Sequence, residues 1–255
     1  TKLAENNFKE VSLLGQNVDK YSWKNEESNV NFANLLEMVA NAFPNLRIRF
    51  STSYPQDMND EVLETMARHK NICKSIHLPA QSGSTKILEL MKRGYSREWY
   101  MDRIKSIRKI IPECSISTDI IAGFCNESDE DHQASLSLLK WANFDFAYMF
   151  KYSERPNTYA QRKLEDNVSE EIKSARLTEI IELQNKISAE TKEKDLNKTF
   201  EVLVEGISKK SKEHLFGRNS QNKVVVFPKE NYVIGDFVDV LITDFTSATL
   251  KGKAM

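Results

Sequence analysis

The apolar positions in the first half of the chain alternate between two periods. Phe8 to Leu14 (FKEVSLL) is a short apolar-rich run closed by Gly15, the pattern of a buried strand. Phe32, Leu35, Leu36, Val39 and Phe43 then recur at helical spacing and predict an amphipathic helix over Asn31 to Phe43. The same alternation repeats downstream. Arg47 to Ser51, Ser75 to Leu78, Ser115 to Ile121 and Phe144 to Phe150 read as strands. Helices are expected from Asn59 or Asp60, from Ser84, from Arg97 to Ile111, and from Asp129 to Trp141. Such alternation implies parallel strands joined by crossover helices, in an open sheet or part of a barrel. Function in such folds lies at the carboxyl ends of the strands.

Those ends are Gly15-Gln16-Asn17, Ser51-Thr52-Ser53-Tyr54-Pro55, Pro79-Ala80-Gln81-Ser82-Gly83, Ile121-Ala122-Gly123-Phe124 and Lys151-Tyr152-Ser153. Polar residues dominate any turn. Five polar loops on one rim nonetheless predict a ligand cup.

Ser169 to Asp195 reads as one long charged helix, with Leu177, Ile180, Ile181, Gln184 and Ile187 on one face. It suits either a connector or a helix packed on the first domain. Beyond Leu196 the period shortens. Thr199 to Val204, Lys223 to Phe227 and Asp236 to Ile242 read as strands, with Gly206, Gly217, Pro228, Gly235 and Gly252 as punctuation. A small β-barrel is expected there. The division predicted is 1–168, 169–195 and 196–255.

Charge alters this picture only locally. Thirty-six Lys and Arg stand against thirty-seven Asp and Glu, so no strongly basic nucleic-acid binder is announced. Yet Lys209, Lys210, Lys212, Arg218 and Lys223 fall within fifteen residues, on a segment expected to be a β-barrel. A solvated loop explains most such clusters, and tracking of a nucleic-acid backbone is the competing reading. No apolar run reaches the roughly 20 residues of a membrane helix, and no signal core opens the chain, so a cytoplasmic location is expected. The three cysteines, Cys73, Cys114 and Cys125, are widely spaced, which fits a reducing compartment and no clustered metal motif.

The common nucleotide and zinc motifs are missing: no GxGxxG follows a strand, no GxxxxGK[ST] occurs, and the four histidines form no HxxxH pair. His77, between Ile76 and Leu78, suits a core or a cup. Asp119 lies within Ser117-Thr118-Asp119-Ile120-Ile121, where a carboxylate needs a partner or a polar cavity. It is the strongest single candidate from residue chemistry alone, equally readable as a structural acceptor in a barrel wall.

Several stretches resemble a known family. Leu13 to Val18 (LLGQNV), Arg47 to Pro55 (RIRFSTSYP), His77 to Ser84 (HLPAQSGS) and Tyr152 to Pro156 (YSERP) resemble the radical S-adenosylmethionine methylthiotransferases. Val202 to Gly206 and Phe216 to Phe227 (FGRNSQNKVVVF) resemble their TRAM domain, an RNA-binding β-barrel. The likeness covers nearly the whole chain, and Gly217-Arg218-Asn219 is closest to the tRNA-modifying members. It implies an α/β fold, an incomplete parallel radical-SAM barrel followed by the small all-β TRAM barrel. It implies addition of a methylthio group to carbon 2 of an N6-isopentenylated adenosine beside the tRNA anticodon. Implied cofactors are S-adenosylmethionine and two 4Fe–4S clusters, and the implied partner is tRNA, with reductant and sulfur source unspecified.

By the same resemblance Gln16, Asn17, Ser51, Ser53, Gln81, Ser82, Asp119, Gly123 and Tyr152 are expected around S-adenosylmethionine and the target adenosine. Gly123 would let the backbone approach the adenine closely. Arg155, Lys209, Lys210, Arg218 and Lys223 are expected phosphate contacts.

The sequence also departs from the family. The Cys-x3-Cys-x2-Cys loop and the auxiliary-cluster domain are absent, the first strand here matches the family's second, and none of the three cysteines matches a cluster ligand. The chain by itself is therefore expected to ligate no cluster and to be catalytically inactive. Alternatives are a non-catalytic RNA-binding module or a relative acting on a ribosomal protein. Tyr54 replaces the family's His, Asn157 its Gly after Arg-Pro, and Cys125 a frequent Pro. An exposed edge on the first strand predicts a dimer or some other cover.

Overall fold

The computed structural model describes residues 2–24, 29–51, 54–246 and 248–255. The chain forms two compact units, one of residues 1–76, 107–115 and 189–255, the other of residues 77–106 and 116–188.

The first unit opens with helix α1 (Lys2–Glu5) and strand β1 (Glu10–Leu13). A small hairpin of β2 (Ser22–Lys24) and β3 (Asn29–Asn31) follows, which the apolar pattern did not announce. Helix α2 (Phe32–Ala42) starts where predicted because Asn31 and Asn34 cap each other's backbone N–H groups. Its apolar stripe buries Phe32, Ala33, Leu36 and Ala40. Strand β4 (Arg47–Phe50) pairs in parallel with β1, Glu10 opposite Arg47 through Leu13 opposite Phe50. Asn59 caps α3 (Asp60–Arg68), and Ile72 then adds one parallel bridge to Ile48.

A three-stranded sheet comprises β5 (Ser75–His77), β6 (Ser115–Ala122) and β7 (Phe146–Lys151), in that order, with β6 and β7 parallel. Between these strands lie α4 (Thr85–Leu90), α5 (Arg97–Ile110) and α6 (Asp129–Ala142). Along β6, Thr118, Ile120 and Ala122 are buried while Ser117, Asp119 and Ile121 face the more open side. After the short α7 (Tyr159–Lys163) comes α8 (Glu170–Glu193). Through Ser188 this helix belongs to the second unit and packs there. Gln184 Nε2 donates to the Phe144 carbonyl at 3.0 Å, and Arg176 donates to Glu127 Oε2 at 2.9 Å and Asp129 Oδ1 at 2.7 Å.

The last strands are β8 (Thr199–Ile207), β9 (His214–Asn219), β10 (Val224–Pro228), β11 (Phe237–Phe245) and β12 (Leu250–Ala254). They close into a barrel in the order β10-β12-β11-β8-β9 around Val202, Val204, Val225, Phe227, Val240 and Ile242. Two strands are additions to the sequence reading. Gly217 and Gly252, expected to be punctuation, sit inside β9 and β12, where a Cβ would strike the carbonyls of Leu203 and Leu241. The glycines permit close strand approach rather than ending strands.

Candidate active site

In the second unit, the loop after β5 is held rigidly. Thr118 Oγ1 donates to the Leu78 carbonyl at 2.9 Å and accepts from the Ala80 N–H at 2.9 Å. Tyr95 and Tyr100 donate to the Pro79 and Leu78 carbonyls. Gln81 is thereby fixed at φ 68°, a left-handed conformation unusual for this residue. Its N–H donates to the Asp119 carbonyl and its own carbonyl accepts from Ile121. The side chain is left lining a cavity of about 500 Å³ with Asp119, Ile121, Phe124, Phe150 and Tyr152. Lys92, Arg93, Lys151 and Arg155 line it too.

Asp119 also meets His77, whose Nε2 lies 3.3 Å from Asp119 Oδ1. The other ring nitrogen, Nδ1, is 3.0 Å from Ser117 Oγ. Tyr148 meets the imidazole edge-on, with ring centroids 5.8 Å apart. Neither reading of His77 or Asp119 from the sequence foresaw this pair, because only sheet order brings β5 beside β6. The Tyr152 ring packs edge-on against Phe124 at 4.8 Å, and burial followed by the Cys125 thiol pushes its phenol upward.

The expected cup residues separate into groups. Gln81, Asp119 and Tyr152 share the cavity, as does Arg155, expected instead at phosphate. Ser82 does not line it: the side chain is 1% exposed, its Oγ accepts from the Ser84 N–H and meets Ser135 Oγ, tying the loop to α6. Gly123 adopts a left-handed backbone conformation. It has φ 73°, and the Lys173 side chain fills the space a Cβ would take, so its backbone is packed against α8 on that side. Asn157 resolves one departure, since its φ of 66° explains glycine at this position and asparagine as the tolerated substitute.

Gln16, Asn17 and Ser51 belong to the first unit, in the loops after β1 and β4. Gln16 and Ser51 are exposed, while Asn17 Nδ2 donates to Asp57 Oδ2. Ser53 lies outside the described residues. Sequence reading missed Asp19 here. It is 6% exposed, and burial, opposed by a bond from its own backbone and aided by nearby Asp57, pushes its carboxyl up to about 7. An acid immediately after Gln16-Asn17-Val18 was the available signal.

On the barrel, Lys209 and Lys210 are exposed in the β8–β9 turn. Lys223 is not a free cation: its ammonium is 2.6 Å from Asp195 Oδ2 in a largely buried pair. Arg218 pairs with Glu205. Neither Lys209 nor Lys210 shares such a partner in the described contacts. The barrel is joined to β4 by Arg47, which donates to the Arg218 carbonyl at 2.9 Å and Glu201 Oε1 at 2.8 Å and lies 4.7 Å over the Phe237 ring.

Cys73, Cys114 and Cys125 are each buried and free. Burial pushes the Cys73 thiol up to about 11, away from the thiolate a cluster requires. Among the described residues, no group of three or more His, Cys, Asp or Glu is placed to hold a metal. These cysteines do not fit an iron–sulfur cluster. No described helix is long and apolar enough to cross a membrane.

The radical SAM superfamily profile matches residues 2–139, and the TRAM domain profile matches residues 193–255. The protein named tRNA-2-methylthio-N(6)-dimethylallyladenosine synthase in Phocaeicola vulgatus is 57% identical over 251 residues, 98% of this chain and 55% of its own length. Its namesake in Porphyromonas gingivalis is 53% identical over 253 residues, 99% of this chain and 54% of its own. The chain spans about half the length of these relatives. Coproporphyrinogen III oxidase from Escherichia coli, described as a radical SAM enzyme, superposes with a TM-score of 0.51 at 15% identity, over 87% of this chain and 55% of that one. That likeness concerns fold alone. With a profile match over more than half its residues, carried by the parallel strands and crossover helices that build the cavity, the chain belongs to the radical SAM superfamily.

Proposed function

We propose that this chain supplies part of the catalytic barrel and the RNA-binding barrel of a cytoplasmic tRNA methylthiotransferase, acting at carbon 2 of N6-dimethylallyladenosine. The observation that carries the reading is the 53% to 57% identity, over 98% to 99% of the chain, to relatives bearing that activity in their names. The cavity supports it. Its volume of about 500 Å³ suits a nucleoside-sized ligand. Gln81 and Asp119 offer polar contacts to ribose or amino-acid groups, Phe124 and Ile121 an apolar bed, and the basic residues a place for a carboxylate.

S-adenosylmethionine is the cofactor proposed to sit there, where it would supply radical chemistry in the full-length enzyme. Asp119 and Gln81 would orient it and the apolar walls would exclude water. No step is assigned to an iron–sulfur cluster on this chain, whose cysteines do not fit one. Gln16, Asn17 and Ser51 remain proposed contributors. Lys209, Lys210 and Arg155 are the better placed of the expected phosphate contacts, because Lys223 and Arg218 are engaged by carboxylates.

Filter binding of tRNA at varied salt tests the RNA half of this reading. Affinity should fall with salt, and removing both Lys209 and Lys210 should flatten the logarithmic slope by about two. Affinity indifferent to salt would sink it. Calorimetry with S-adenosylmethionine tests the cavity, with Asp119→Ala expected to abolish binding. Reconstitution with iron and sulfide should yield no 5′-deoxyadenosine from this chain.

A further inference from the structure

Three buried oxygens beyond the end of β1 accept from no neighbour. Asp19 is 6% exposed, and neither of its carboxylate oxygens has a hydrogen-bond partner. The pull of its own backbone N–H compensates only in part, and Asp57 works against it as a like charge. Asn17 Oδ1 is the third such oxygen. Its orientation is fixed, because the amide nitrogen donates to Asp57 Oδ2 at 2.5 Å. That bond uses the donor side of the amide and leaves the carbonyl side with nothing to accept from. Orphaned acceptors of this kind cost free energy and call for a water, a proton or an ion. The local fold explains why they gather. Asn17 precedes the single turn Val18–Lys20 and Asp19 lies within it, so both side chains stem from one tight bend. Asp57 closes a second such turn, Pro55–Asp57. Strands β1 and β4 pair in parallel, so their carboxyl ends lie side by side and bring the two turns together.

We propose that Asn17, Asp19 and Asp57 form a site for a hydrated Mg2+ ion that pins the loops after β1 and β4 to each other. Asn17 Oδ1 and the Asp19 carboxylate supply the direct ligands. Asp57 holds the Asn17 amide in place and adds a second negative charge. The set is not a cluster of acids and histidines, because one ligand is an amide oxygen. Every ligand is a hard oxygen, with no nitrogen or sulfur, which selects against zinc, copper and iron. Mg2+ keeps several of its waters and is held through one or two carboxylates, so a ligand set this short suits it better than Ca2+, which gathers about six to eight oxygens. The ion would fix the two loops that carry Gln16 and Ser51. In metal-free buffer a proton is what remains to Asp19. The inference goes beyond the proposed function and does not rest on it.

The test is titration of the 255-residue chain, stripped with a chelator and held at pH 8, with magnesium chloride in a calorimeter. Wild type should bind one ion per chain with a Kd of about 0.1–1 mM, and 10 mM of the salt should raise Tm by about 3–10 °C. Potassium chloride at the same ionic strength should give neither effect. Asp19→Asn keeps the side-chain shape and should weaken binding at least tenfold. Asp102→Asn removes an exposed carboxylate paired with Lys105 and should leave binding unchanged. If Asp19→Asn does not fold, Asn17→Ala takes its place, since it spares both carboxylates, and should weaken binding in the same sense. No saturable binding by wild type overturns the inference, as do several weak sites in place of one. An equal Tm rise with potassium chloride would mean charge screening alone and also overturns it. Binding unchanged in a folded Asp19→Asn or Asn17→Ala chain, or lost equally in Asp102→Asn, places the ion elsewhere and does the same.

Discussion

In the barrel of β8 to β12 every strand has two neighbours, whereas β1 and β7 each have one among the described residues. The barrel buries Val225, Phe227, Val240, Ile242 and Leu250 completely. The open sheet leaves Phe146, Tyr148 and Phe150 half exposed. A closed sheet satisfies its own hydrogen bonds and hides its apolar face, so nothing further is required of a ligand or neighbour. An open one keeps a face and an edge available. The barrel presents its chemistry on outward loops such as Lys209-Lys210, while the parallel sheet presents it on the strands themselves.

Paired aromatic truncations would expose this difference most strongly. Phe227→Ala in the barrel core should cost roughly 3–5 kcal/mol in urea denaturation. A much smaller loss would mean the barrel core is not the closed one described. The matching cut in the open sheet, Phe150→Ala, should cost about 0.5 kcal/mol or less.

Two carboxylates sharpen the contrast through pH. Asp19 is held near 7 against an ordinary 3.8, chiefly by burial. The native state therefore keeps a proton that the unfolded chain releases. The stability from this group is complete below about pH 4 and is lost as pH rises toward 7, by at most about 1.4 kcal/mol per pH unit. Asp19→Asn should remove that slope in melts run from pH 4 to 7, and an unaltered slope would rule the assignment out. Asp131 behaves oppositely. Burial raises it, but bonds from Lys86, Ser84 and Ser128 prevail and hold it at about 2. Its stabilisation is present above about 4 and is lost as pH falls toward 2.

The junction between β4 and the barrel comes next. Arg47→Met keeps most of the side-chain volume but loses the bonds to Glu201 and the Arg218 carbonyl, and should cost roughly 1.5–3 kcal/mol. Denaturation midpoints check the value, and a variant as stable as wild type would show that this contact adds nothing. The smallest expected effect concerns the edge of β1 that pairs with no strand among the described residues. The chain should associate at raised concentration, and Ser12→Lys should return it to a monomer in light scattering. A wild-type monomer at every concentration would mean that the edge is already covered.

Much of this fold was readable in the residues. Asn31, Asn59 and Ser84 marked helix starts because capping is local chemistry, set within four residues. The β9 and β12 strands were not readable, because Gly217 and Gly252 look like turns until the facing carbonyls of Leu203 and Leu241 are known. Gln81 and Tyr152 stood out as polar positions at strand ends and Asp119 as a carboxylate within an apolar strand, and the three line one cavity. Ser82 looked identical by that criterion and proved to be an internal tie to Ser135. The fate of Lys223 was equally hidden, since Asp195 lies twenty-eight residues away.

What the sequence determined by itself was the succession of the main strands and helices of the first part, several helix caps, the change from βα alternation to a small barrel, and the family. These follow from periodicity and short-range bonding, which act between residues close along the chain. Only the tertiary structure decided which side chains share a space. It joined His77 to Asp119 across two strands, filled the space beside Gly123 with Lys173, and set three rings of β7 against an open face. Those outcomes depend on sheet order and helix packing, which bring together residues tens of positions apart and leave no local trace.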